Sequence, residues 1–243
     1  MRPEPRSRAV RRTALVTLTT ASAWALGGLW LDSHVDRGEQ LLLGALTVVV
    51  FAALMWLHTP AVRLQALGVV GFATVGEVVG SLIWGLYTYR LENIPAFVPP
   101  GHGLVYLAGF SVAVLLGRRL VLAIAVICAA GWGIAGLTVL PADVSGAIGC
   151  AFLVAVLLWT RIPVYAGVFL AVAVLELYGT AMGTWRWEAV VPGLGLSQGN
   201  PPSGVASGYV VFDICALVLT AQIMRLVRLR RGDQPMRPRT AEA

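Results

Sequence analysis

The chain has 243 residues, 58% of them apolar and 12% charged, with a mean hydropathy of +0.79 and a formal net charge of +6. Soluble domains carry about 25% charged residues, so a water-facing fold of this size would lack half the charge that normally covers it. The same composition excludes disorder and collagen-like or coiled-coil assemblies. The chain therefore reads as an integral membrane protein. All 18 basic residues are Arg and none is Lys. This excludes a P-loop, whose Lys reaches the phosphates, and any Schiff base with retinal or pyridoxal phosphate. Cys128, Cys150 and Cys215 stand singly in apolar runs and read as small core residues rather than ligands or disulfide partners.

Taken in chain order, a basic N-terminus (1–12) precedes eight apolar stretches near the length that crosses a bilayer: about 13–31, 40–57, 62–86, 102–116, 120–140, 144–160, 163–183 and 205–226. A basic tail (227–243) follows. The first stretch resembles a signal peptide but reads as a retained anchor, because seven spans follow it. Seven spans is the competing count. With the N-terminus inside, 15 arginines fall on the inner segments and Arg37, Arg90 and Arg186 on the outer ones, a positive-inside bias that places both termini in the cytoplasm at the cell membrane. The positive charge is thus a topology signal with attraction to anionic lipid, and no aromatic-interleaved basic surface supports nucleic-acid binding.

Two segments share a pattern. Glu77-Val-Val-Gly80, Gly85-Leu-Tyr87-Thr-Tyr89-Arg90, Pro99-Pro100 and Gly103 recur as Glu176-Leu-Tyr-Gly179, Gly183-Thr-Trp185-Arg186-Trp187, Pro201-Pro202 and Gly204, at offsets of 98 to 102 residues. In the eight-span reading, spans three and seven both run outward, so the halves 13–116 and 120–226 form two parallel four-helix repeats related by an axis along the membrane normal. The expected fold class is all-α polytopic. Each half places a Glu in an outgoing helix, an aromatic pair at its outer end, and a Pro-Pro-Gly loop before the next helix.

Glu77, Glu176 and Asp213 are the candidate catalytic residues, because a carboxylate in hydrocarbon costs about 2.5–3.5 kcal/mol and faces a cavity or the bundle interior. Gly80 and Gly179 lie one helical turn from the two Glu residues, with Gly76 next to Glu77 and Gly183 two turns beyond Glu176, and the four are expected to mark close helix contacts. The alternative for the carboxyls is a structural acid hydrogen-bonded across helices. Tyr87-x-Tyr89 and Trp185-x-Trp187 place two rings on one side of an extended segment and are candidates to line a substrate pocket, with an interfacial belt as the plainer reading. Arg90 and Arg186 flank these pairs and are expected either to clamp an anionic group or to anchor at the interface. His102, in Pro-Gly-His-Gly, has no counterpart in the second half and joins the substrate-binding set. Asp32, His34 and Asp36 read as solvated loop residues, with metal ligation as the alternative. No metal or other cofactor is expected.

Glu77-x-x-Gly80 with a following Gly, Tyr87-x-Tyr89, Ile94-Pro95 and Val98-Pro99 resemble the membrane carotenoid-biosynthesis proteins that include carotenoid hydratases. The resemblance covers about 25 residues, with an echo in the second half. It implies protonation of an isoprenoid double bond and addition of water. The chain departs from the family in length and in its Pro-Gly-His-Gly run.

Three function classes follow. The leading one is a membrane-embedded enzyme on a lipidic or isoprenoid substrate, with an intramembrane Glu as acid and aromatics cradling positive charge. The others are a small proton- or cation-coupled transporter, and a structural or assembly protein. The expected partners are the bilayer, the lipidic substrate and a second copy of the chain in a homo-oligomer.

Overall fold

A computed structural model describes residues 5–140 and 142–230; the basic tail from 231 onward and the first four residues lie outside the described residues. Among the described residues eight α-helices run in chain order: α1 (Pro5–Asp32), α2 (Arg37–Trp56), α3 (Pro60–Glu77), α4 (Val98–Leu116), α5 (Arg118–Thr138), α6 (Val144–Thr160), α7 (Pro163–Met182) and α8 (Ala206–Arg230). Helices alone satisfy every backbone group within one segment, as hydrocarbon requires. Seven are long and apolar enough to cross a membrane, and α6 is a shorter apolar helix of 17 residues. The chain is a multi-pass, predominantly helical membrane protein.

The outer surface is apolar: Trp159 is 89% exposed and Ile127 71%, which a bilayer, not water, makes favourable. Packing inside depends on small residues. Helices α4 and α7 meet backbone to backbone, and a Cβ on Gly109 would come within 2.5 Å of the Val168 main chain. Helix α3 lies on α8 through Gly68 beside Ala216 and Gly76 beside Phe212. Without a hydrophobic drive between helices, such close approach is what holds a bundle together.

The structure departs from an all-helical reading at one end. After Glu77 the chain widens into a π-helical turn (Val78–Trp84), closed by Gly85 in the left-handed region at φ 73°. Then β1 (Tyr87–Tyr89) pairs antiparallel with β2 (Trp185–Trp187), which itself follows α7 and a second left-handed glycine, Gly183 at φ 72°. The two aromatic segments are therefore one ribbon rather than separate loops. A second correction concerns Pro99 and Pro100, which stand in the first turn of α4 and not in a loop. The missing N–H of proline costs nothing there, since the first helical amides have no intrahelical partner. His102 is thus a helical residue. Pro201 and Pro202 do lie in the connection before α8.

Candidate functional site

The π-turn and the ribbon fold the two ring pairs back over the carboxyls that precede them. Tyr87 and Tyr89 hydroxyls both donate to Glu77 Oε2, each at 2.7 Å, and His102 Nε2 lies 2.8 Å from Oε1. In the other half, Trp185 Nε1 donates to Glu176 Oε2 at 2.9 Å and Trp187 Nε1 at 3.2 Å, while Tyr209 donates to Oε1 at 3.1 Å. Period-two alternation turns both rings of each strand toward the Glu and leaves Thr88 and Arg186 facing out. The register is symmetric, Tyr87 against Trp187 and Tyr89 against Trp185, so each tyrosine ring meets an indole.

These groups enclose a cavity of about 220 Å³ with mostly apolar walls from α1, α2, α4, α7 and α8, including Trp24, Leu43, Phe97 and Phe212. Glu77, Tyr87, Tyr89, His102, Glu176, Trp185, Trp187 and Tyr209 all line it. Burial first, and the Glu77 carboxyl next, push the Tyr87 and Tyr89 phenols well up, so both stay hydrogen-bond donors. His102 is 5% exposed and its ring stacks on Tyr209 with centroids 4.9 Å apart. Its Nδ1 has no hydrogen-bond partner among the described residues. With Glu77 as a carboxylate, Nε2 carries the proton and the lone pair on Nδ1 is the basic atom of the cavity.

The remaining candidates lie elsewhere. Asp213 is buried in α8, four residues beyond Tyr209, but does not line the cavity. Arg90 donates to the main-chain oxygens of Asp32 and, at 2.6 Å, of Val35, stapling β1 to the α1–α2 turn. Arg186 is exposed on the opposite side of the ribbon. Neither arginine reaches the cavity, so neither clamps an anion in it. Asp32 accepts from Gln40 at 2.6 Å, Asp36 caps α2 in a reciprocal bond with Glu39, and His34 is 2.8 Å from the Trp30 carbonyl. Among the described residues no cluster of three or more His, Cys, Asp or Glu could hold a metal. Gly76 is a helix contact, against the Phe212 ring of α8. Gly80 and Gly179, however, make room for the Tyr87 and Trp185 rings rather than for a neighbouring helix, and Gly183 serves the turn.

Two cavity residues escaped the sequence reading. Tyr209 sits in an apolar run and reads as an interfacial aromatic; its spacing of four from Asp213 was the available signal for an inward face. Trp24 stands deep in α1, away from any belt, and donates to Thr47 at 3.0 Å. No protein-family model matches the chain, and no curated protein or solved structure is significantly similar to it.

Proposed function

We propose that the chain is a membrane-embedded acid–base enzyme acting on a lipidic substrate, with the Glu77–His102 pair as its proton-handling group and Glu176 as a second carboxyl on the same cavity. The observation that carries this reading is the unpartnered Nδ1 of a buried imidazole whose other nitrogen is held by a carboxylate. A proton taken up by Nδ1 leaves an imidazolium paired with Glu77 at 2.8 Å, which stabilises the charge that the step creates. Tyr87, Tyr89 and Tyr209 fix the two carboxyls and, with the indoles, present ring faces to developing positive charge.

The resemblance of residues 77–99 to carotenoid hydratase-like proteins narrows the substrate to an isoprenoid. In that reaction Glu176 in its acid form protonates one alkene carbon, water adds to the other, and His102 Nδ1 takes the proton that water releases. Return of that proton from the imidazolium to the Glu176 carboxylate, both on the same cavity, closes the cycle with net addition of water. The symmetric ribbon register, and the pairing of α3 with α8 and of α7 with α4, support two parallel four-helix repeats about an axis along the membrane normal. With the arginine bias, they favour eight spans, cytoplasmic termini and an outward-facing ribbon. The same two-fold placement of carboxyls is what favours a proton-coupled transporter as the second reading.

The test compares lipid extracts of producing and deletion strains with strains carrying Glu77→Gln, His102→Gln or Glu176→Gln at matched protein levels. The enzyme reading expects loss of one lipid product and accumulation of its precursor in the deletion and in all three variants. Identical lipid profiles throughout would overturn it, and a proton flux lost with Glu77→Gln would establish the transporter instead.

A further inference from the structure

A second cavity, of about 280 Å³, adjoins the first between α1, α4 and α7. The two share Ala25, Leu104, Val105 and Leu175 in their walls, so they lie directly against each other. The second part is lined by apolar side chains and a single hydroxyl, Ser22. Small side chains stand on three walls of this slot: Ala21 and Ala25 on α1, Ala108 on α4 and Ala171 on α7. Val174 at its lip is 58% exposed, on a surface that in a membrane meets lipid.

The slot leads away from the ribbon. Between His102 and Val112, its far lining residue on α4, the helix advances roughly 15 Å, about half the ~30 Å hydrocarbon core. One end of the space therefore holds the buried polar groups, and the other holds hydrocarbon to one leaflet's depth. Its charge pattern constrains what enters. Glu77, Glu176 and His102 are the ionisable acids and bases on the first cavity besides the tyrosines, while Arg90 and Arg186 point away from it. With Glu77 ionised and no guanidinium on the walls, phosphate and carboxylate heads are repelled.

Resting on the enzyme reading above, we infer that the slot binds the hydrocarbon tail of a single-chain lipid whose reacting end is uncharged or cationic, with that end at His102 Nδ1 and the tail along α4. A phosphorylated lipid is rejected. The single chain follows the course of the slot, which runs along one helix, α4, with α1 and α7 as its other walls. The uncharged or cationic end follows from the carboxyls and from aromatic faces that attract cations.

The test uses the full-length protein in phosphatidylcholine nanodiscs with three photoactivatable probes: an isoprenoid alcohol, the matching amine and the matching monophosphate. The alcohol and amine should label α1, α4 and α7 saturably, unlabelled alcohol should displace both, and the monophosphate should label at least about tenfold less, equivalent to about 1.4 kcal/mol. Ser22→Phe and Ala171→Phe, filling the slot from opposite walls, should each abolish saturable labelling, and the competition in the unaltered protein stands whether or not they fold. Non-saturable labelling, equal labelling by the monophosphate, or a crosslink from the slot to a second copy of the chain would overturn the proposal. Saturable labelling that survives Glu77→Gln alongside an unchanged lipid profile would defeat the enzyme reading alone; an altered lipid profile without saturable labelling would defeat the slot alone.

Discussion

Adding one methyl group at the two equivalent glycines should have unequal consequences. At Gly80 a Cβ would come 3.2 Å from Tyr87 Cε1 and 3.3 Å from its hydroxyl oxygen, so the ring needs to give by only a few tenths of an ångström. Alanine also gains up to about 1 kcal/mol of helix propensity over glycine, which leaves Gly80→Ala within about 1 kcal/mol of neutral. At Gly179 the Cβ would fall inside the indole of Trp185, and that ring is held by β2 and by its bond to Glu176. Overpacking costs about 1–3 kcal/mol. A lost interhelical-type hydrogen bond in a membrane adds about 0.6 to 1.7 kcal/mol. Less the propensity gain, Gly179→Ala should destabilise by about 1–4 kcal/mol. The assay is reversible unfolding in mixed micelles on addition of denaturing detergent. In a Trp185→Phe background the cost of Gly179→Ala should shrink, because the shorter ring leaves the space open; a double-mutant cycle measures that coupling. Equal costs at the two glycines, or no coupling to Trp185, would refute the packing argument.

Two further predictions follow from other parts of the fold. Burial first, and the charge of Arg63 second, hold the His58 imidazole below its ordinary value of 6.5, so the unfolded chain binds the proton more readily. Stability should be full above that value and fall as pH drops through it; His58→Gln should flatten the difference between about pH 5 and pH 8, and an unchanged slope would refute the assignment. Single cysteines at Glu92 and Leu194, both exposed at the ribbon end, should react with an impermeant reagent outside intact cells, and one at Arg118 should not; the reverse pattern would invert the orientation.

Much of this site was legible because its pieces recur. A Glu one turn before a glycine, and an aromatic pair ten residues on, appear twice in one order, and their strands do lie side by side. What the sequence hid was non-local or concerned local geometry. Nothing in Tyr87-Thr-Tyr89 announces pairing with a strand nearly a hundred residues away, since a three-residue strand carries almost no pattern. The π-turn after Glu77, which carries the chain back over its own carboxyl, has no residue signature in Val78–Trp84. Pro99-Pro100 reads as a loop because the pair is a helix breaker, whereas the first turn of α4 accepts both rings. Arg90 and Arg186 read equally as clamps or as interfacial anchors from their position beside the rings; the α1–α2 carbonyls hold Arg90, and strand alternation turns Arg186 outward.

The central claim is that Glu77 holds the Nε2 proton of His102 and leaves Nδ1 as the free base of a lipid-filled cavity. The chain has three histidines, His34, His58 and His102, so a ring-labelled sample in nanodiscs gives a spectrum simple enough to assign by single substitutions. Nitrogen NMR should show His102 protonated at Nε2 in a hydrogen bond that weakens in Glu77→Gln, with an unprotonated Nδ1 whose resonance shifts when an isoprenoid alcohol is added. A His102 protonated at Nδ1 alone, with Nε2 bare and its resonances indifferent to Glu77→Gln and to the alcohol, would contradict the account.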